Sequence, residues 1–375
     1  MKIAIIRRKF TPFGGAENFI LRMSSGLATL GIKFSIISEA WKKNSKNTKN
    51  ITFLKATSHG LTRYTRFLSF THSVEKIIST HNFDLVQSHE RLIGADIYRL
   101  GDGVHAAWID RVKKISPWYK KIWLNIDPYH QKIIRTEKEM SRDKNLFYVA
   151  NSELVKNEIH NYYKVPKSRV IVIENGIDVK TYHPIKGFKK ESAKRKLGLD
   201  PKSPVILFVG SGFQRKGAFE LVEAIKLLPK FQAIIVGHDK KIKELRVFSH
   251  GQRILITGPQ YNIQPYLDAS DIFCLPSMYD SFPNAALEAL CCGLPLVLTK
   301  DVGLATYISK YNAGIICKKN DGSIAKALQK VWKKRTLFSK NAIKLSKNFD
   351  IKIKNSEWLY LYREVLKKKN KNILR

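Results

Sequence analysis

Residues 205–217 read VILFVGSGFQRKG, and residues 271–299 read DIFCLPSMYDSFPNAALEALCCGLPLVLT. Both follow one order: an apolar run of strand length, a turn holding a few polar groups, then apolar residues at helical spacing. Strands that are apolar throughout, rather than alternating, belong to a parallel sheet covered on both faces. Around these two stretches the sequence predicts strands at 204–211, 232–237, 253–258, 271–276, 294–299 and 314–318. Helices are expected at 218–228, 263–269, 284–292 and 323–334. This is a doubly wound α/β pattern, in which ligands collect outside the carboxyl ends of the strands.

The N-terminal half repeats the pattern more loosely. A strand at 2–7 is followed by a Pro-Phe-Gly-Gly turn and an amphipathic helix with Phe19, Ile20, Met23, Leu27 and Leu30 on one face. Gly31 ends that helix, and a strand at 33–38 completes a βαβ unit. Further strands are expected at 83–89, 145–151 and 169–175. The chain therefore divides into a first Rossmann-like domain over 1–176, a hinge over 177–203, a second Rossmann-like domain over 204–351 and a terminal helix over 352–375. The hinge is rich in Lys, Pro and Gly without a sustained apolar period. The terminal helix carries Trp358, Leu359, Tyr362, Val365 and Leu366 at helical spacing, which suits packing back on the first domain.

With 375 residues and 44% apolar composition, the chain can bury two cores of ordinary size. No apolar run reaches the about 18 residues of a membrane span. The apolar part of the N-terminal MKIAIIRRK is too short for a signal peptide and reads as a buried strand. Cys274, Cys291, Cys292 and Cys317 lie on apolar runs without CxxC spacing, as core thiols of a reducing cytosol do. The net charge of +36 attracts polyanions. Lys-Asn stretches such as KKNSKNTKN at 42–50 show that compositional bias supplies part of it. No recognition-helix, RNP or zinc pattern supports specific nucleic-acid binding.

Chemistry concentrates at the turns. Glycines after the strand at 205 let the backbone approach a ligand, and Arg215 and Lys216 can neutralise a diphosphate. Cations at a helix start oppose the helix dipole, which favours a binding role over a merely solvated pair. In the second stretch, Pro283 and Asn284 open a helix, so the amides of Asn284 and Ala285 are available to a ligand. Glu288 lies a turn further in, where a carboxylate can accept both hydrogen bonds of a ribose diol, and Asp280 is placed for hydroxyls of a donor hexose. An acidic first turn is also an ordinary stabilising choice. The cations one sheet step away decide for a nucleotide-sugar site. In the first half, Asp102 sits between Gly101 and Gly103, where a turn would expose its carboxylate to charge developing on a sugar ring or to an acceptor hydroxyl. His105 is the rival group there, and His89 and Glu90 are weaker candidates.

These features resemble the retaining family 4 glycosyltransferases of the GT-B fold. The shared pieces are the glycine loop of Pro12 to Glu17, the Arg215-Lys216-Gly217 turn, and Glu174 to Asp178. The spacing from Asp280 to Glu288, followed by Gly293-Leu294-Pro295, completes the set. Here Asp280 replaces the more usual Glu. Within that family the Pro-Phe-Gly-Gly loop and the segment GADIYRLGDGVHAAW at 94–108 are most similar to the lipopolysaccharide core heptose glucosyltransferase group. The resemblance implies two lobes facing across a cleft, an acceptor-binding N-terminal domain and a C-terminal domain binding a UDP-sugar. It implies Gly14 and Gly15 near the donor phosphates, Asp102 at the reacting centre, Arg215 and Lys216 on the diphosphate, and Glu288 on the ribose. It also implies front-side attack assisted by the departing phosphate. No Asp-x-Asp pair occurs, so metal independence is expected and no cofactor is called for.

From Trp108 to Arg135 the sequence interleaves Trp118, Tyr119, Trp123 and Tyr129 with many Lys and Arg residues. Rings and long cations together suit an anionic membrane surface. The expectation is a cytoplasmic enzyme peripheral to the inner membrane, glucosylating a lipopolysaccharide core sugar, with a polyprenyl-linked saccharide as the alternative acceptor. A non-catalytic polyanion- or membrane-binding protein is the rival of another class.

Overall fold

The computed structural model describes residues 1–10, 15–41, 50–251 and 253–373. The chain forms two compact units, Met1–Gly176 with Ile351–Arg375, and Ile177–Asp350.

The first unit opens with β1 (Lys2–Ile6), β2 (Lys9–Phe10), α1 (Gly15–Ala28), β3 (Lys33–Ser38), β4 (Ala40–Trp41), β5 (Ile51–Lys55) and α2 (Arg63–Thr80). It continues through β6 (Leu85–Ser88), β7 (Ile97–Leu100), α3 (His105–Ile115), α4 (Trp118–Ile126), α5 (Pro128–Arg142), β8 (Phe147–Ala150), α6 (Glu153–Tyr163) and β9 (Val170–Val172). Seven strands pair in the order β5-β3-β1-β6-β7-β8-β9, all parallel. The four apolar residues of β1, Ile3 to Ile6, are wholly buried because helices cover both faces of the sheet. Phe19, Ile20, Met23 and Leu27 of α1 pack into the core. Leu30, expected on that face, is exposed, because α1 ends at Ala28 and Gly31 turns the chain with φ +82°.

In the second unit, α7 (Phe188–Lys196), β10 (Val205–Val209), α8 (Phe213–Lys216), α9 (Ala218–Lys226), β11 (Gln232–Val236), α10 (Ile242–Phe248) and β12 (Ile254–Gly258) come first. They are followed by α11 (Gln264–Asp268), β13 (Ile272–Leu275), α12 (Asn284–Cys291), β14 (Leu296–Thr299), α13 (Ala305–Lys310), β15 (Gly314–Cys317), α14 (Asp321–Lys333) and α15 (Arg335–Ser346). Six parallel strands run β12-β11-β10-β13-β14-β15. All four cysteines are buried free thiols.

The segment expected as a hinge over 177–203 is instead folded into the second unit. Ile177 is fully buried and its amide donates to Phe349 O at 2.8 Å. Lys194 of α7 is buried with its Nζ 2.7 Å from Asp271 Oδ2 and 2.9 Å from Ser203 O. An ion pair and a few apolar contacts anchor the segment, which is why apolar periodicity does not reveal it.

The last helix, α16 (Ile351–Ile373), belongs to the first unit and packs on α1. Trp358 and Tyr362 are fully buried, and the Tyr362 hydroxyl donates to Gln87 Oε1 at 2.7 Å. Lys354 Nζ bonds Glu174 Oε2 at 2.9 Å, fixing the helix start to the end of the sheet. Replacing Trp358 by Ala should therefore destabilise the first unit by about 3–5 kcal/mol. Urea unfolding followed by far-UV circular dichroism reads this directly; a midpoint unchanged from the parent would show that α16 is not an integral layer.

Candidate functional site

In each sheet the strand order reverses once: between β1 and β6 in the first unit, between β10 and β13 in the second. Chains leaving neighbouring parallel strands at such a reversal diverge to opposite faces and leave a crevice at the carboxyl edge. The polar residues singled out by sequence lie at these two edges.

In the second unit, the turn after β10 rests on the start of the turn after β13. Gly217 has φ +84°, and a β carbon there would stand 2.3 Å from Pro276 O, so no side chain fits. This contact aims α8 at the loop that follows β13. Arg215 Nη1 donates to Tyr279 O at 2.9 Å, and the Met278 amide donates to Arg215 O at 2.8 Å. Lys216 forms an ion pair with Asp280, both side chains being nearly buried. Burial, with Arg215 beside it, pushes the Lys216 ammonium below the usual lysine range, while Asp280 opposes the shift. The Asp280 amide donates to Asp301 O and its carbonyl accepts from Gly303, so the loop is pinned to the chain after β14.

Asn284 and Ala285 are the first two residues of α12, and Pro283 before them offers no capping side chain. Glu288 follows one turn later and is buried. The structure thus gathers Arg215, Lys216 and Asp280 into one contact and sets Asn284, Ala285 and Glu288 on the helix leaving the same turn. It differs from the sequence expectation in one respect. The two cations do not stand free side by side: Lys216 is matched by Asp280, and Arg215 is engaged with a backbone carbonyl. The Asp280 carboxylate points at Lys216. An ammonium has three donors, so Lys216 can hold Asp280 and an incoming phosphate oxygen together.

In the first unit, Gly14 lies outside the described residues and Gly15 is the first residue of α1. Asp102 follows β7 in a turn where Gly103 has φ +76°. Its Oδ2 accepts from Arg7 Nη1 at 2.6 Å, while 45% of its side chain remains exposed. Burial alone would raise this carboxyl, but Arg7, Arg91 and the Arg7 hydrogen bond draw it down to about 2. Arg91 Nη2 donates to Gly103 O at 2.8 Å, and Glu137 of α5 accepts from the His105 amide at 2.8 Å, so the turn is held from two sides.

His105 Nε2 lies 3.0 Å from His130 Nδ1, which turns the imidazole toward α5. Burial, then Arg91, His130 and Arg63, push its pKa down to about 3, so the ring is neutral at physiological pH. His89 is buried against Gln87 and pushed far below the ordinary histidine range by burial and by Arg99 and Arg7. Sequence reasoning missed Arg7, Arg91 and Glu137. Arg7 was legible as the first residue beyond a buried strand; Glu137 lies among ordinary helical charges and gave no signal.

A second surface lies at the end of α3 and on α4. Ile115, Trp118, Tyr119, Ile122 and Ile126 are each more than half exposed, and Trp123 is 48% exposed. Lys114, Lys120 and Lys121 stand exposed among them. The rings of α4 are not tucked into the core. Asp127 ends this helix and caps α5, accepting from the Tyr129 and His130 amides.

Comparison with known proteins gives this geometry a family. The Glycosyltransferase Family 4 domain matches residues 13–181, and the domain described as Glycosyl transferases group 1 matches residues 189–350. The chain belongs to the family 4 glycosyltransferases. It is an enzyme of the hexosyltransferase class. Among its relatives is the lipopolysaccharide glucosyltransferase WaaG of Escherichia coli K12, 23% identical over 330 residues, which are 84% of this chain and 85% of WaaG. The crystal structure of WaaG, a glycosyltransferase involved in lipopolysaccharide biosynthesis, superposes with a TM-score of 0.80 at 20% identity, covering 95% of this chain and 98% of that one. Anabaena HepE in complex with UDP and glucose superposes with a TM-score of 0.77 at 17% identity, covering 97% of this chain and all of that one. At such identities the likeness shows the fold, which is GT-B.

The close approach at Gly217 gives a direct test of how the site is built. Gly217→Ala must move either α8 or Pro276, and should lower stability by about 2–4 kcal/mol. Thermal melting of the purified variant measures it, and a melting temperature equal to the parent's would refute the described contact.

Proposed function

We propose that this family 4 enzyme moves glucose from UDP-glucose, with retention of configuration, onto a heptose of a lipopolysaccharide core. The observation that carries the reading is that Arg215 and Lys216 bond the loop after β13, through Tyr279 O and Asp280, and that this loop leads into α12 with its buried Glu288, at the strand reversal of the second unit. A diphosphate needs cations and free amides, and a ribose diol needs a buried acceptor. WaaG as a relative supports the acceptor, and HepE bound to UDP and glucose supports the donor.

In this reading Arg215 and Lys216 take up the charge that grows on the diphosphate as the sugar departs, with the Asn284 and Ala285 amides beside them. Glu288 orients the nucleoside through the ribose. Asp280, held on Lys216, sets the position of that ammonium and lies within its reach of the donor hexose. In the first unit the ionised Asp102 stabilises positive charge on the sugar ring and receives the acceptor hydroxyl. His105, neutral and paired with His130, is a poor proton donor near pH 7 and is read as shaping the turn. The acceptor attacks from the face the phosphate leaves, and the departing phosphate oxygen takes its proton. With cations to balance the diphosphate and no Asp-x-Asp pair in the sequence, the reading is metal-independent.

The exposed face of α3 and α4 is read as the seat on an anionic leaflet, which would bring the enzyme to a lipid-linked acceptor at the cytoplasmic side of the inner membrane. Among the described residues no helix is long and apolar enough to cross a membrane. Apolar rings flanked by lysines suit a helix lying in the headgroup layer.

Incubation of the protein with UDP- and GDP-sugars and truncated lipopolysaccharides, with the product linkage assigned by NMR, tests the whole reading. An α-linked glucose on heptose is expected; no transfer from any nucleotide sugar would overturn it. Glu288→Ala should weaken UDP binding about tenfold or more by calorimetry, since hydrogen bonds to a charged group contribute about 1.5–3 kcal/mol each. Asp102→Ala should leave UDP affinity unchanged and lower turnover. The double variant Trp118→Ala, Trp123→Ala should reduce cosedimentation with phosphatidylglycerol vesicles about tenfold or more, given the apolar area withdrawn from water. Equal binding by parent and variant would remove α4 from the membrane contact.

A further inference from the structure

Arg7, the first residue beyond β1, is the only side chain hydrogen-bonded to the Asp102 carboxylate among the described residues. Its guanidinium meets three acids from three elements. Asp102 Oδ2 lies at 2.6 Å from the turn after β7, Glu90 Oε1 at 3.5 Å from the loop after β6, and Glu17 Oε1 at 3.7 Å from α1. The Arg7 side chain is 15% exposed, against 45% for Asp102. The cation is thus enclosed and its partner open: one carboxylate oxygen is tied to the protein interior while solvent reaches the acid from the other side.

We propose that Arg7 is a positioning residue for sugar transfer, holding Asp102 ionised and in one orientation at the carboxyl edge of the first sheet. The inference rests on the role given to Asp102 above. A planar guanidinium fixes a carboxylate in direction as well as in charge. Without Arg7, Glu17, Glu90 and Asp102 would face one another with little to separate their charges. One of them would take up a proton at a pH where all three are now ionised. The other charged or titratable groups facing Asp102 are His89 and Arg91 from the loop after β6, and Tyr98 and Arg99 from β7. His89 is neutral, and Arg91 is committed to Glu137 and Gly103 O. None of these replaces Arg7 as a hydrogen-bond donor to Asp102. The low carboxyl pKa noted above agrees with this arrangement.

A merely structural arginine would alter melting temperature and leave the titration of Asp102 where it is. The test uses Arg7→Gln, which removes the charge, and Arg7→Lys, which keeps it without the fork. Glucose transfer from UDP-glucose to a truncated lipopolysaccharide is measured from about pH 4 to about pH 9. The Asp102 carboxyl is titrated by NMR in protein carrying carbon-13 in its aspartates, its signal assigned by loss in Asp102→Asn. Arg7→Gln should lower kcat on the order of 10- to 100-fold with KM for UDP-glucose unchanged. The Asp102 titration and the acid limb of kcat should both move up by about 1–3 pH units. With Arg7 holding the parent carboxyl near 2, a shift toward the upper end of that span brings the limb into the measured range in the variant alone. Arg7→Lys should restore the titration but only part of the rate.

An Arg7→Gln variant with parental kcat, or with lowered kcat and an unmoved Asp102 titration, overturns the proposal. Should Arg7→Gln fail to fold, Arg7→Lys decides: parental titration with reduced kcat supports the role, and parental kcat contradicts it. If the parent transfers no sugar, the functional reading fails, whereas the carboxyl titration still shows whether Arg7 sets the charge of Asp102.

Discussion

Parallel pairing of apolar strands decides where polar side chains can stand in each sheet of this protein. β1, β10, β13 and β14 bury their side chains on both faces, so they have no room for polar chemistry along their length. Polar residues are confined to the turns where strands end. At the reversal of strand order those turns diverge, and the sheet edge is left open between them. Arg215, Lys216 and Asp280 occupy that place in one unit; Arg7 and Glu90 occupy it in the other, with Asp102 reaching Arg7 from the turn after β7.

The two edges use charge differently. In the second unit a cationic pair is restrained by the Asp280 carboxylate and by the Tyr279 and Ser211 carbonyls. In the first unit one enclosed arginine holds three carboxylates, leaving an acid half open to solvent. The matched Glycosyltransferase Family 4 and Glycosyl transferases group 1 domains cover the two halves of the chain.

Much of this was legible from sequence. Fully apolar strands such as VILFV and IFCL announce a two-sided parallel sheet; Arg215, Lys216 and Asp280 follow those strands, and Glu288 lies on the helix after the second. Partnerships were not legible. That Asp280 neutralises Lys216 depends on β10 and β13 being neighbours, a fact of tertiary topology spanning 64 residues. Glu137 reaches the Asp102 turn only because α5 packs against α3, and nothing in its own helix marks it. The stretch 177–203 looked like a hinge because ion pairing through Lys194 hides from apolar periodicity. Conversely, the rings of α4 matched a core helix as well as a surface one, and only their exposure separates the two.

A crystal structure of the protein soaked with UDP-glucose would address the nucleotide-sugar site without relying on turnover. The diphosphate oxygens should lie within hydrogen-bond distance of Arg215 and Lys216, with both ribose hydroxyls on Glu288. A nucleotide bound away from the β10–β13 reversal, with those three side chains untouched, would contradict the account.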